Sequence, residues 1–156
     1  MDRRTNARNV DLNRNLPTRD WTADFTNPRY FPGLAAGSEV ESEITVALME
    51  AVQPRMIMSL HSYEHAMINY NGDCLDLAQA MESTNGLPPK SDIGYPTPGS
   101  LGTYAGWERN IPTIHKHIGF PMVFQAFPLH FWEPGRLFRV CFSSEVNLRT
   151  TPIMII

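Results

Sequence analysis

The sequence predicts an α/β fold, a mixed and mostly parallel sheet flanked by helices. Three observations carry that expectation. A helical apolar repeat over residues 40–52 is stopped by Pro54 and followed by a short, mainly apolar run, Met56 to Leu60. Helix and strand signals then alternate as far as residue 114. The 156 residues, 42% hydrophobic and 19% charged, suffice for one buried core and leave no compositional sign of disorder.

Taken in order, the elements are as follows. Ser38 followed by Glu41 reads as a capping box, and Val40, Ile44, Ala47, Leu48, Ala51 and Val52 then recur at helical spacing. Met56 to Leu60 is too short for a helix and lacks polar alternation, as expected of a buried parallel strand. His61 therefore sits at a strand's carboxyl end, where ligands gather in open α/β sheets. Ala66 to Tyr70 is a second extended segment, closed by the turn pair Asn71-Gly72, after which Asp73 is placed to cap a helix from Cys74 to Glu82. Asn85-Gly86-Leu87-Pro88-Pro89 opens a loop that continues through Gly94, Pro96, Pro98 and Gly99, and loops of this length are often functional. Leu101 to Glu108 reads as helix and Ile111 to Ile114 as another short buried strand. From about His115 the texture changes to a Phe- and Pro-rich stretch with no cap and no sustained period.

Composition excludes several function classes. Net charge is −3, against general polyanion binding, and although six arginines fall within the first 29 residues, the aromatics weighed as base-stacking partners, Trp21 and Tyr30, lie well downstream of the arginine cluster. No nucleic-acid partner is expected. No run approaches the roughly 18 apolar residues of a membrane span, so no membrane partner is expected either. The polar stretch after Met1 has no apolar signal core, which predicts a cytoplasmic protein or a natural start upstream of Met1. Cys74 and Cys141 are too far apart in sequence, and too few, to imply a disulfide framework or a cysteine-rich metal site.

Three polar clusters could carry chemistry. His61, Glu64 and His65 have metal-ligand chemistry at helical spacing, but the residues before them read as strand, which puts neighbouring side chains on opposite faces. Asp11-Leu12-Asn13-Arg14-Asn15, preceded by Arg3, Arg4 and Arg8, places a planar guanidinium fork beside an amide, the combination that captures a carboxylate. His115 and His117, with His130, form a further candidate metal set, because His-x-His on a strand puts both rings on one face. Trp107 and Trp132 read as packing residues, and the methionines near position 57 as core filler.

Two of these clusters and two further strings resemble the zinc carboxypeptidases, the carboxypeptidase A-like metallopeptidases. NVDLNRN (Asn9 to Asn15) resembles that family's carboxylate-binding motif, and SLHSY (Ser59 to Tyr63) the strand end carrying its third zinc ligand. GSEVESE is similar to the start of the intervening helix, and PGSLGTYAGWERNIPTI (Pro98 to Ile114) to the approach to the last active-site strand. The flavour is that of the short bacterial branch with murein tripeptide amidases and related γ-glutamyl-diaminopimelate peptidases. The resemblance implies a partial zinc carboxypeptidase-like fold and one zinc ion, with His61 as a ligand through a ring nitrogen. It further implies that Asn13 and Arg14 hold the substrate's terminal carboxylate, that Arg4, or Arg3, polarises the scissile carbonyl, and that Tyr95 folds over a bound small peptide. In such chemistry zinc activates a water while a glutamate serves as base and then proton donor.

The resemblance has two gaps. An HxxE motif should supply the first two zinc ligands, yet none of the twelve residues before Asn13 is His or Glu. The catalytic glutamate should follow IPTI, where the chain reads Ile114-His115-Lys116-His117-Ile118 and His117 takes its place. The expectation is therefore residues 1–114 as the central part of a zinc carboxypeptidase-like domain and 115–156 as an atypical tail, the product of a gene cut on its 5′ side and frameshifted near codon 115. Such a chain is expected to be an incomplete, inactive copy of a zinc hydrolase of small peptides, with exposed sheet edges and apolar faces. The alternative is a non-catalytic carboxylate-binding or interaction remnant without metal.

Overall fold

The structure, a computed structural model, describes residues 4–62, 65–118 and 153–155. Its described strands are β1 (Met56–Ser62), β2 (Met67–Asn71), β3 (Pro89–Lys90), β4 (Thr113–Ile118) and β5 (Ile153–Ile155), joined in one sheet of order β3-β2-β4-β1-β5. β1 pairs in parallel with β4 and β5, β2 in parallel with β3, and β2 with β4 antiparallel. This is the mixed, mostly parallel α/β sheet that the sequence predicts. The expected strand at Ile111 to Ile114 begins two residues later and runs past residue 114 to Ile118. β3 and β5 have no counterpart in the sequence expectations.

Register decides which side chains meet. His61 lies opposite His117 and Ser59 opposite His115 across β1 and β4, while Asn69 lies opposite His115 across β2 and β4. Because side chains alternate along a strand, Ser59, His61, Asn69, Asn71, His115 and His117 all emerge on one face. Deeper on that face, Ile57 packs with Leu16, Met49, Leu101, Tyr104 and Ala105. The opposite face buries Ile68 and Ile114 against Cys74, Ala78 and Met81.

Helix α1 (Val40–Val52) ends on Gln53, which adopts a left-handed conformation and donates its N–H to the Met49 carbonyl at 2.8 Å, just before Pro54. One expectation, for its start, needs correction. The capping box does not form: the N-cap is Glu39, without a side-chain capping bond, because the Ser38 hydroxyl is taken by Asn15 Nδ2 at 3.1 Å and donates to Glu39 Oε1 at 3.0 Å. The apolar repeat forms the expected helix but lies largely exposed. Val40 and Ile44 are each 61% exposed and Leu48 and Val52 are also exposed, whereas Ser42 and Met49 are buried. Periodicity reveals an apolar face but not what covers it, and among the described residues α1 meets the core only through Val46 and Met49.

Helix α2 (Leu75–Asn85) runs three residues further than expected, to a left-handed Gly86. Its N-cap is Cys74, with no side-chain capping bond, so Asp73 does not cap it as predicted. The segment expected as helix at 101–108 is a π-helix, Gly102–Trp107, with Tyr104 and Ala105 buried beneath it. Insertions of this wider turn recur beside functional sites.

Candidate functional site

The amino-terminal segment is shaped by buried polar side chains. Asp11 caps a single 3₁₀ turn, Leu12–Arg14, by accepting the Asn13 N–H at 3.1 Å on one carboxylate oxygen, and takes the Arg4 Nε–H at 2.7 Å on the other. Asn15, fully buried, ties this turn to the following loop: its amide nitrogen donates to the carbonyls of Pro32 (2.8 Å) and Ala35 (3.1 Å), and its oxygen accepts the Glu39 N–H at 3.1 Å. Asn13 reaches the other way, accepting the Leu101 N–H at 2.9 Å and so fastening the turn to the π-helical segment. Gly99 completes the junction. Its φ is +71°, and a β-carbon there would run into the Arg14 carbonyl.

These pins leave Arg14 with little freedom. Its Nη1 donates to the Asn13 carbonyl at 2.7 Å, and its guanidinium lies 5.5 Å from the Tyr30 ring centre, with that of Arg4 5.1 Å from the same ring. Burial lowers the Arg14 pKa and the neighbouring Asp11 opposes the shift, while guanidinium stays charged at any relevant pH.

Arg4, Asn13, Arg14, His61 and Tyr95 line a single cleft of about 200 Å³, together with His115, His117, Asn69, Asn71, Ser100 and Thr103. Residues separated by up to 113 positions, Arg4 to His117, thus share one wall, and His61 and Arg14 stand on the same side of the molecule. Trp107, expected to be a packing residue, is instead 55% exposed at the cleft, because the π-turn carries it off the core face that Tyr104 and Ala105 occupy. His65 is exposed and is not among the residues lining the cleft. Arg3, Glu64, His130, Trp132 and Cys141 lie outside the described residues.

The floor of the cleft is built of imidazoles. His61 Nε2 stands 3.0 Å from Ser59 Oγ and 3.1 Å from His115 Nδ1, and the His61 and His117 rings stack with centres 5.3 Å apart and planes 15° from parallel. Burial, reinforced by mutual repulsion, pushes His115 down to about 3 and His117 to about 4, and burial with the charge of Arg4 lowers His61. All three rings are neutral at neutral pH. Sequence reading paired His115 and His117 with His130 and missed their meeting with His61. The signal was present in the His-x-His alternation, but the pairing of β4 with β1 that brings the rings together is not written in either strand alone.

Zinc is what the family resemblance implies here, and a zinc site requires three protein ligands about one point. Among the described residues no group of three or more His, Cys, Asp or Glu is placed to hold a metal ion. Stacked rings explain why. A nitrogen lone pair lies in its ring plane, so near-parallel rings direct their lone pairs side by side rather than at one point. The residues present do not fit the ion, and no chemical step follows through it.

No family model matches the chain. It is 33% identical over 122 residues to murein peptide amidase A of Vibrio campbellii (strain ATCC BAA-1116), covering 71% of this chain and 48% of that protein. Against murein peptide amidase A of Escherichia coli (strain K12) it is 34% identical over 116 residues, covering 65% and 46%. The crystal structure of murein-tripeptide amidase MpaA from E. coli O157 superposes with a TM-score of 0.65 at 29% identity, over 73% of this chain and 52% of that one. The structure of bovine thrombin-activatable fibrinolysis inhibitor in complex with tick carboxypeptidase inhibitor shares the fold, with a TM-score of 0.50 at 19% identity over 68% and 45% of the two chains. The chain spans about half the length of the curated relatives it matches. Over that shared half the chain is similar to murein peptide amidase A and has the α/β fold of murein-tripeptide amidase MpaA.

Proposed function

We propose that the cleft is the carboxylate-recognition part of a metallocarboxypeptidase-like hydrolase of small peptides, in a chain that is itself an incomplete and inactive copy. The observation that carries this reading is the convergence of Asn13, Arg14 and Arg4 with His61 on one cleft. In this reading Arg14 grips the terminal carboxylate of a peptide through charge-assisted hydrogen bonds and the Asn13 amide adds a donor. Arg4 faces the adjoining carbonyl, and Tyr95, 39% exposed at the rim, closes over the ligand. The turn-and-pin scaffold beneath Arg14 supports the role, since a guanidinium already fixed on Tyr30 loses little freedom on binding. The support for inactivity is His117, a neutral imidazole where a carboxylate base is expected, with no group of three or more metal-ligating side chains placed to hold an ion among the described residues.

In this proposal residues 1–114 supply the carboxylate-recognition residues, and residues 115–156, whose His115 and His117 still line the cleft, are an out-of-frame tail, which translation of the other frames of the gene beyond codon 114 tests. The functional test is calorimetric binding of N-acetyl-alanine against its carboxamide. The acid is expected to bind roughly tenfold or more tightly than the amide, and Arg14→Ala to abolish that difference. Equal affinity for acid and amide overturns carboxylate recognition, and peptide hydrolysis by the purified chain overturns inactivity.

A further inference from the structure

Resting on that reading, we infer that the cleft takes its carboxylate ligand without a metal, the anion being met by arginine charge while the β4 imidazoles close the place beside His61 where a cation would sit. The first support is positional. His61 Nε2 has the Ser59 hydroxyl at 3.0 Å and His115 Nδ1 at 3.1 Å, so that nitrogen is already engaged in hydrogen bonding within the protein. The second is directional. The His117 ring lies almost parallel to that of His61, an arrangement suited to packing and unsuited to ligating a shared ion.

The third support is charge. Zinc in a peptidase cleft serves hydrolysis by activating a water, whereas holding an anion needs only fixed cations. This cleft is lined by two arginines and, among its carboxylates, by Asp92 alone. Both guanidinia are set over Tyr30, and Asp11, which orients Arg4, is buried behind the wall rather than lining the cleft. The net field at the ligand position favours an anion. The ligand class is accordingly a small acid or peptide end with one free carboxylate, bound between the guanidinia and a neutral imidazole floor.

The test uses the full chain, first stripped with a chelator and dialysed, then titrated with N-acetyl-alanine in metal-free buffer, in chelator, and with one equivalent of zinc chloride. The expected result is less than about 0.1 zinc per purified chain and a dissociation constant unchanged within roughly twofold across the three conditions. Arg14→Ala is expected to lose that affinity under all three conditions. Binding that falls tenfold or more in chelator and returns with zinc overturns this inference and leaves carboxylate recognition standing. Binding absent under every condition overturns carboxylate recognition itself, and the inference with it.

Discussion

Acidification from pH 8 to pH 5 is expected to cost this fold about 4 kcal/mol, and the imidazole floor is the reason. His115 and His117 have pKa values of about 3 and about 4 in the folded chain, against about 6.5 for an unfolded histidine. Depressed pKa values on bases mean that the unfolded state binds protons first as the pH falls. The penalty is therefore absent above pH 6.5, grows below it, and levels off only as the folded rings themselves titrate near pH 4 and 3. At pH 5 each unfolded ring lies about 1.5 units below its pKa while the folded rings remain essentially neutral, which at 1.36 kcal/mol per unit is about 2 kcal/mol per histidine. His61 is shifted the same way and adds to the loss. Glu39, held below the ordinary carboxylate range by its bonds from Asn6 and Ser38, contributes only at lower pH. A loss of this size is a large part of an ordinary domain's stability. The assay is urea unfolding followed by tryptophan fluorescence at unit steps from pH 8 to 5. An unfolding free energy at pH 5 within about 1 kcal/mol of that at pH 8 refutes the linkage argument, since two buried neutral imidazoles cannot be silent over that window.

Two further outcomes follow from the packing. Asn15→Ala removes the hub that joins Pro32, Ala35, Ser38 and Glu39, leaving buried partners unsatisfied, and is expected to destabilise by about 2–4 kcal/mol in chemical denaturation. Ile44→Glu, on the exposed face of α1, is expected to change stability by less than about 0.5 kcal/mol while lowering the chain's binding of a hydrophobic dye and its light scattering. A large loss of stability would mean that something covers that face.

What could be read in advance, and what could not, divides along a physical line. Met56 to Leu60 announced β1 because a short, mainly apolar run between Pro54 and a polar pentapeptide is too short for a helix, and Ile57 is indeed buried although Leu60 is exposed. The grouping of Arg4, Asn13, Arg14 and His61 was legible through motif resemblance, not through any local pattern, since the cleft joins segments far apart in sequence. Ser38 and Glu41 have capping chemistry at capping spacing, but the buried amide of Asn15, 23 positions upstream of Ser38, competes for the Ser38 hydroxyl and wins. The α1 stripe shows the same limit, with periodicity intact and the covering layer absent among the described residues. His115 and His117 pointed to one face, and only strand register could show whose face it was.

Tyr30 carries a consequence out of proportion to its position. It is not among the residues that line the cleft, yet one aromatic face supports both guanidinia that do. Two like charges that would otherwise drift apart are moored to a common plate, so tilting that plate retunes both ends of the ligand berth together. On the proposed carboxylate reading, Tyr30→Ala is therefore expected to weaken binding at both guanidinia although Tyr30 is not among the residues that line the cleft.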